Sequence, residues 1–293
     1  MFERLFVIVQ HLLPKLALTV FAGWVASRPR GRLTTRTIAW FVRKYGVNMA
    51  EAANPDITSY TTFNAFFTRA LKDGARPLAQ APLVCPVDGS ISQFGRIEKD
   101  LIVQAKGHHY STAALLGGDR QLAARFEDGH FACLYLSPRD YHRIHMPAAG
   151  RIARMLHVPG KLFSVNPTTA RGVPGLFARN ERVVCVFEGD AAQGLDPFVM
   201  VLVGATVVGS MATVWHGDCK PRLPALWQKQ YRDPALTYAQ GDEMGRFLLG
   251  STVVMLFPKL PAGKTLAFNP AWQPGGNIRM GEAMATIEAT AEQ

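Results

Sequence analysis

The feature that most constrains this sequence is a run of five apolar residues, 253–257, that directly follows Gly250, Ser251 and Thr252. A short continuous apolar run bounded by turn residues is typical of a strand buried on both faces. The strand entrance therefore carries a serine beside a glycine, whose missing Cβ leaves its carbonyl open to attack by a neighbouring hydroxyl. Gly-Ser-Thr is also ordinary turn chemistry at the start of a strand. These residues alone therefore leave both interpretations open, a nucleophilic serine and a structural turn.

Two other segments carry side chains that could activate this serine. One contains His142 and His145, and the other places Asp88 in a turn after an apolar stretch. Asp, His and Ser together supply an orienting carboxylate, a base and a nucleophile. If His145, oriented by Asp88, deprotonates Ser251, the alkoxide can attack the Gly250 carbonyl and move the acyl group from nitrogen to oxygen. β-Elimination from the ester would leave dehydroalanine at residue 251, which tautomerises to an imine and loses ammonia to water, so that a pyruvoyl group remains.

The histidine pair also has less specific interpretations. A His-x-x-His pair can bind zinc, but matching Cys, His or acidic ligands are missing at suitable spacing, so no metal is predicted. Two histidines at a strand end are commonly structural. The four cysteines are scattered without a Cys-x-x-Cys pair, which argues against a zinc cluster and against a disulfide framework. We interpret the cysteines as core residues.

Over nearly its whole length the sequence resembles the pyruvoyl-dependent phosphatidylserine decarboxylases of the bacterial membrane-associated type. The resemblance places Asp88, His145 and Ser251 at the positions of the family's self-cleavage triad. It places the scissile bond between Gly250 and Ser251. The matching motifs occur in order along the chain: FNAFFTR (63–69), PVDG (86–89), YHRIHMP (141–147), GKLFSVN (160–166), FARNER (177–182), GRF (245–247) and LGST (249–252).

What the resemblance implies is a carboxy-lyase made as a zymogen. Self-cleavage would give a large chain, residues 1–250, and a small chain, residues 251–293, which stay associated as a heterodimer. The cofactor would be a covalent pyruvoyl group from Ser251 that forms a Schiff base with phosphatidylserine and releases CO2 and phosphatidylethanolamine, the electron-sink role of pyridoxal phosphate elsewhere. His142 is the candidate for the proton transfer because an unperturbed imidazole has a pKa near ~6.5.

Substrate contacts are expected in the segment that resembles the family's binding loop. Phe163 would line the headgroup pocket, and Ser164 or Asn166 would bond to the phosphate, with Lys161 in the same segment. Asn166 precedes a proline and is a good turn initiator by itself, so a purely structural role stays open. A positive surface would help to capture an anionic lipid.

The first fifty residues combine an apolar stretch, residues 5–26, with eight Lys or Arg residues and one Glu, so they hold seven of the ten excess positive charges. A basic apolar segment favours an anionic membrane surface. Pro14 and Lys15 interrupt the stretch, and we therefore predict helices in the interface rather than a span. This places the protein peripherally at the cytoplasmic side of the cell membrane. Docking on the protein's own core is the alternative, and nucleic acid is not a predicted partner because its motifs are missing.

The predicted fold class is α+β, with an N-terminal helical membrane-associating region (1–60) and a β-rich catalytic core (61–293). Helical spacing is found at 34–46 and 61–71. Runs rich in Val, Phe and Leu predict the strands at 131–136, 183–187, 198–208 and 252–257.

Two functions from other classes remain open at this stage. A serine hydrolase could use the same three residues, although the sequence lacks the G-x-S-x-G elbow. A noncatalytic membrane-binding module would explain the N-terminus but not the three reactive segments. The sequence does not set the oligomeric state, and a homo-oligomer stays open.

Overall fold

The computed structural model describes residues 10, 13–105, 107–206, 211–219, 225–248 and 252–290. The predicted cleavage site, Gly250 and Ser251, lies outside the described residues. The described chain resumes at Thr252, so the strand that follows the site is fully defined.

Within the described residues the helices are short, and the two longest lie near the N-terminus. The helix Arg32–Tyr45 is capped by Gly46, whose left-handed conformation (φ 68°) is one that glycine adopts without a Cβ penalty. In chain order the helices are α1 (Lys15–Ala26), α2 (Arg32–Tyr45), α3 (Phe63–Phe67), α4 (Thr112–Leu115), α5 (Arg120–Ala124), α6 (Pro167–Gly172) and α7 (Leu176–Arg179).

Strands make up most of the remaining regular structure, so the protein is β-rich with a few helices, as predicted. In chain order they are β1 (Leu83–Val84), β2 (Gly89–Arg96), β3 (Leu101–Ala105), β4 (His108–Ser111), β5 (His130–Tyr135), β6 (Arg143–His145), β7 (Gly150–Val158), β8 (Arg182–Glu188), β9 (Phe198–Val203), β10 (Met211–Thr213), β11 (Gly217–Cys219), β12 (Trp227–Gln230), β13 (Thr237–Tyr238), β14 (Glu243–Phe247), β15 (Thr252–Phe257), β16 (Lys264–Phe268), β17 (Asn277–Ile278) and β18 (Ala283–Ala289).

The strands of the described chain form four antiparallel sheets. The largest has the order β12-β7-β8-β9-β15-β5-β2-β17, with β13 also paired to β7. A second sheet has the order β11-β10-β14-β6, and a third has the order β1-β18-β16. β3 and β4 form a separate hairpin. β15 therefore lies inside the largest sheet, hydrogen-bonded to β9 on one side and to β5 on the other.

Both faces of β15 are covered, which explains its unbroken apolar sequence. Val253, Met255 and Phe257 belong to one buried cluster, together with residues from β6, β10 and β14 of the second sheet. Val254 and Leu256 point the other way, into a cluster that includes side chains of α4 to α7. The predicted strand at 252–257 is confirmed with the same bounds.

The other sequence-based elements are confirmed or corrected by their tertiary contacts. The strands predicted at 131–136 and 183–187 match β5 and β8 within about one residue at each end. The strand predicted from residue 198 ends at Val203, because the next amide, that of Gly204, donates to the Glu181 carbonyl outside the sheet. Residues 207 and 208 of that prediction lie outside the described residues.

The helix predicted at 61–71 is much shorter than expected. α3 starts at the Thr62 cap, whose hydroxyl accepts from the Ala65 amide, and it spans only five residues. Leu71 instead forms a bridge with Ala52, and the Ala53 amide donates to the Ala70 carbonyl. These long-range bonds outweigh the helical spacing of the sequence.

The N-terminal helices pack on the rest of the protein through a small third cluster. Ile38 of α2 is buried with Val47, Phe66 and Phe67. This contact orients α2 over α3 and leaves the opposite side of α2 exposed. No helix in the described part of the chain has both the length and the hydropathy that crossing a membrane requires.

Truncation of one side chain tests the central position of β15. We expect Leu256→Ala to lower the free energy of unfolding by about 2–5 kcal/mol, because Leu256 is fully buried and the neighbouring strands cannot collapse into the gap. Chemical unfolding followed by circular dichroism measures the change, with Ser251→Ala in every sample so that each protein is a single chain. Lys264→Ala on the exposed surface of β16 is the control and should stay within about 0.5 kcal/mol of the parent. Equal losses for both variants would contradict this packing.

Candidate active site

The first residue of β15, Thr252, is held in place by strand pairing on both sides. Thr252 pairs with Tyr135 of β5 and with Val203 of β9, and Tyr135 pairs in turn with Ser90 of β2. Consecutive Cα atoms are about 3.8 Å apart, so residue 251 is tied closely to the end of this row. Gly89, one residue before Ser90, has no room for a side chain, since a Cβ there would lie 2.3 Å from the Tyr135 carbonyl oxygen.

His145 is held by three hydrogen bonds at the end of β6. Its amide donates to the Pro86 carbonyl (2.9 Å), which fixes the backbone beside the Asp88 turn. Its ring Nδ1 lies 2.8 Å from the Gly241 carbonyl oxygen, and its Nε2 lies 3.0 Å from the Tyr141 hydroxyl. A carbonyl can only accept, so Nδ1 carries the proton and Nε2 offers a lone pair. This is the tautomer that a base acting through Nε2 requires.

Asp88 is bonded to an arginine and not to His145. The Arg76 Nε lies 2.9 Å from Oδ1 of Asp88, and the Arg76 fork also reaches Oδ2. The Met280 amide donates to Oδ1 as well (2.9 Å), and Arg76 binds Glu51 at 2.7 Å. The expectation that Asp88 orients the ring of His145 is therefore not met by a direct hydrogen bond. The planar guanidinium engages both carboxylate oxygens, and the Gly241 carbonyl orients the ring instead.

Burial sets the charge state of His145. Desolvation lowers its pKa from the ordinary value, while the Gly241 hydrogen bond and the carboxylates of Glu243 and Asp88 act in the opposite direction. The positive charge of Arg143 lowers the pKa further. His145 is therefore a neutral imidazole near neutral pH, the form that can accept a proton.

His142 lies in a still drier environment. Its ring is fully buried, and the ring centroid lies 4.0 Å from that of Phe67. Its Nδ1 lies 2.8 Å from the Asp140 carbonyl oxygen. Burial lowers the pKa of His142 to about 3, which corrects the expectation of an unperturbed imidazole. Its Nε2 is buried and has no hydrogen-bond partner among the described residues. His142 is therefore neutral and has an unused acceptor.

Two cavities meet at the Gly89 and Ser90 pair. One, of about 300 Å³, is lined by Gly89, Asp88 and Tyr141 and by the basic side chains of Arg69, Arg76, Arg139 and Arg279. The other, of about 380 Å³, is lined by Ser90, Tyr135 and part of the loop that begins α6, including Val165, Pro167 and Arg171. The second cavity reaches from the strand entrance to the segment expected to bind substrate.

In that segment the expected residues divide into two groups. Asn166 caps α6, with its Oδ1 accepting from the Thr169 amide (2.9 Å) and the Thr169 hydroxyl (3.0 Å), so its side chain has the structural role that was left open. The Ser164 amide donates to Oε1 of Gln10 (3.1 Å), and the Ser164 hydroxyl accepts from the Asn166 amide (3.5 Å).

Phe163 and Lys161 lie instead in a group of cations. The Lys15 ammonium is 4.6 Å from the centroid of the buried Phe163 ring, and the Arg179 guanidinium is 5.2 Å from it. Lys161 is exposed, and burial together with the Lys161 charge lowers the pKa of Lys15. Two cations thus lie over one ring, and the charge of Lys161 acts on one of them, an arrangement that favours an anion.

Metal ligands are not grouped in the described part of the chain, where no set of three Cys, His, Asp or Glu side chains could hold an ion. The four cysteines are free and buried, as core residues should be. The sequence analysis did not identify Arg76, Tyr141, Gly241, Lys15 or Arg179. Tyr141 alone carried a signal, its place in the segment with the two histidines. The others reach the site from distant parts of the chain.

The Arg76 and Asp88 pair gives a stability test. We expect Arg76→Met to lower the free energy of unfolding by about 3–5 kcal/mol, because it leaves the nearly buried Asp88 carboxylate without its counter-ion. Arg279→Met is the control: Arg279 contacts Glu51 at 3.6 Å, but its side chain is 62% exposed, so its loss should cost less than about 1 kcal/mol. Chemical unfolding in the Ser251→Ala background measures both. Similar small losses would show that Arg76 does not hold Asp88.

Known proteins match this chain over nearly its whole length. Residues 63–286 match the family model described as phosphatidylserine decarboxylase, and residues 5–46 match a second model described as PSD. A phosphatidylserine decarboxylase proenzyme of Methylibium petroleiphilum is 67% identical over 97% of this chain and 98% of its own length. Proteins with the same name from Polaromonas naphthalenivorans and Dechloromonas aromatica are 66% and 64% identical, over 100% and 98% of this chain and over 100% and 99% of their own lengths. The chain belongs to the phosphatidylserine decarboxylase family.

Proposed function

We propose that this protein is the proenzyme of a phosphatidylserine decarboxylase, which cuts itself between Gly250 and Ser251 and then converts phosphatidylserine to phosphatidylethanolamine. The observation that carries the proposal is a buried neutral base, His145, whose Nε2 is the accepting nitrogen, in a chain 67% identical to a named proenzyme. A serine hydrolase or a noncatalytic module would not need a Gly-Ser bond at that entrance.

The base and the carboxylate have separate tasks in this cleavage. His145 is the base that takes up the proton of the Ser251 hydroxyl. The serine oxygen attacks the Gly250 carbonyl carbon, and the proton passes on to the departing peptide nitrogen, which leaves an ester. Loss of the Cα proton of residue 251 then breaks the Cβ–O bond and releases Gly250 as a carboxylate. The dehydroalanine that remains would tautomerise to an imine, and water would replace its nitrogen, which leaves as ammonia. Asp88, held by Arg76, places a negative charge near the imidazolium that forms, which favours the proton transfer.

The two products stay together because strands of the small chain pair with strands of the large chain. Its strand β15 lies between β9 and β5 of the large chain. Its β17 pairs with β2, and its β18 pairs with β1. Cleavage removes one covalent bond before β15 and leaves these four pairings intact, so we propose a stable heterodimer of residues 1–250 and 251–293.

The residues around the strand entrance fit a pyruvoyl group at position 251. His142 Nε2 and the Thr252 hydroxyl are buried and have no hydrogen-bond partner among the described residues. Such atoms are costly to leave unpaired. The Thr252 hydroxyl belongs to the residue that follows position 251, and the His142 carbonyl accepts from the Phe247 amide at the end of β14. When formed, the group would supply an electron-accepting carbonyl for decarboxylation.

In this proposal His142 accepts one proton from the substrate and later returns it. The substrate ammonium must lose a proton before its nitrogen can act as a nucleophile, and the neutral Nε2 can accept it. After CO2 leaves, the same proton can return to the substrate carbon. A pKa lowered to about 3 makes His142 a ready donor once it is charged. His142 thus ends the cycle neutral, as it began.

The phosphate of the substrate is assigned to the cations around Phe163. Lys15 and Arg179 lie over this ring, and the charge of Lys161 acts on Lys15. The adjoining Ser164 hydroxyl and the polar groups that cap α6 can add hydrogen bonds. The cavity of about 380 Å³ connects this segment with Tyr135, the partner of Thr252. An extended headgroup can therefore reach from the cations to the strand entrance.

Intact mass measurement under denaturing conditions tests the proposed maturation. We expect two masses, those of residues 1–250 and of residues 251–293 with an N-terminal pyruvoyl in place of serine. Ser251→Ala should give one full-length mass and no decarboxylation, because it has no hydroxyl to attack Gly250. Ser251→Cys is the matched variant, since a thiol can attack the same carbonyl and should restore slow cleavage. An active protein with one unbroken chain would refute the proposal, and a serine hydrolase would show that result.

The membrane contact is proposed for residues 1–60, next to the catalytic region 61–293. On α1, Leu16, Phe21 and Trp24 are 56%, 64% and 45% exposed. Basic groups border these apolar side chains: Arg28 lies 4.4 Å from the Trp24 ring centroid, and Lys44 lies 5.4 Å from that of Trp40. Aromatic residues beside cations are suited to the headgroup level of an anionic bilayer. This surface supports a peripheral position at the cytoplasmic side of the cell membrane.

Vesicle sedimentation tests that surface. We expect the double variant Phe21→Ser, Trp24→Ser to bind vesicles containing about 30% phosphatidylglycerol at least tenfold more weakly, because each ring that leaves the bilayer loses roughly 1.5–3 kcal/mol. Leu101→Ser is the control, since Leu101 is equally exposed (48%) but lies on β3. Weakened binding in the control alone would place the contact elsewhere. Self-cleavage should be unchanged in both variants.

A further inference from the structure

The Tyr141 hydroxyl is hydrogen-bonded to Nε2 of His145, the reactive nitrogen of the proposed base. The hydroxyl lies 3.0 Å from His145 Nε2, and both side chains are largely buried, with exposures of 6% and 9%. The two rings also face each other at a centroid distance of 5.6 Å. Nδ1 of His145 donates to Gly241, so Nε2 is the acceptor in this pair and the Tyr141 hydroxyl is the donor.

This geometry raises a problem for direct proton transfer. A neutral imidazole has one lone pair in the ring plane, and the Tyr141 proton already points at it. A serine that reached Nε2 directly would have to displace Tyr141 and leave its buried hydroxyl without a partner. An unsatisfied buried hydroxyl is expensive, whereas a hydroxyl that gives one proton and takes another keeps all its hydrogen bonds.

We propose that Tyr141 is the proton relay of self-cleavage, through which the Ser251 hydroxyl is deprotonated by His145. The inference rests on the proposed function, because it concerns the same cleavage. In the relay the Ser251 O–H bond breaks as a new O–H bond forms on Tyr141, and the original Tyr141 proton moves to Nε2. Tyr141 ends neutral, His145 ends as an imidazolium, and the negative charge lies on the serine oxygen as it attacks.

Concerted transfer suits the electrostatics of Tyr141. Burial raises the pKa of Tyr141 to about 12, so a free tyrosinate would be unfavourable at neutral pH. A relay avoids this species because the hydroxyl is never without a proton. The charged groups that face His145 are Glu243 on β14, Arg143 on β6 and Asp88 before β2. The carboxylates of Glu243 and Asp88 favour the imidazolium that the relay produces, and Arg143 opposes it.

Time-resolved cleavage of Tyr141→Phe tests the relay. Full-length precursor is made by cell-free translation, translation is stopped, and conversion to the two chains is timed on denaturing gels from about pH 5 to about pH 9. We expect cleavage of Tyr141→Phe to be slower by about tenfold to a hundredfold at neutral pH, because the proton path is broken. An unchanged or faster rate would overturn the proposal, since it would mean that Tyr141 is idle or blocks the base.

The pH profile separates a relay from a merely structural role. The Tyr141 hydroxyl donates to the neutral form of His145, which lowers the pKa of that ring, so removing the hydroxyl should raise it. Cleavage needs the neutral imidazole, and the acid limb of the rate profile should therefore move to higher pH in Tyr141→Phe. A slower rate with an unmoved acid limb would count against the relay and indicate a packing effect.

Tyr110→Phe is the matched control. Tyr110 is also buried, and its hydroxyl has no hydrogen-bond partner among the described residues, but it lies on β4 away from His145. It should cleave at the parental rate, with an unmoved acid limb. Failure of the relay is distinguishable from failure of the proposed function: in the first case Tyr141→Phe cleaves normally while Ser251→Ala stays intact, and in the second the parent itself is never cut.

Discussion

The pairing of β15 with β5 and β9 is the constraint on which the rest of this structure depends. Five of its six side chains are apolar and all six are fully buried, on two opposite faces. The register is therefore strongly specified, because a slip of one residue would exchange the side chains of the two cores. A fixed register holds Thr252, the first described residue after the proposed cleavage site, against Tyr135.

The same pairing explains how a cut chain can stay folded. β15 contributes to both large hydrophobic clusters, and β17 and β18 add pairings at two further sheet edges. The free energy that keeps the small chain in place comes from burial and backbone hydrogen bonds, and neither depends on the bond between Gly250 and Ser251. A cut at an element entrance costs less packing than a cut inside one.

Buried polar groups supply the second level of organisation. Asp88 is neutralised by Arg76 and the Met280 amide, and His145 is held between a carbonyl and a phenol. Apart from the Tyr141 and His145 pair, these polar atoms find partners on segments that are distant in sequence, which is how the fold avoids the cost of unpaired buried groups. His142 Nε2 and the Thr252 hydroxyl lack such partners among the described residues, and exceptions of this kind are expected where chemistry takes place.

The sequence by itself determined the local elements and the reactive residue types. The apolar run after Ser251 predicted a doubly buried strand, α2 was predicted by its spacing, and the family followed from several short motifs. Only the tertiary structure decided which groups touch. Asp88 was expected to bond to His145, but its carboxylate accepts hydrogen bonds from Arg76. The helix after Thr62 was expected to be longer than α3 is. Hydrogen bonds between distant segments leave no periodic trace in a sequence, and the fall of the His142 pKa depends on how much water the assembled fold excludes.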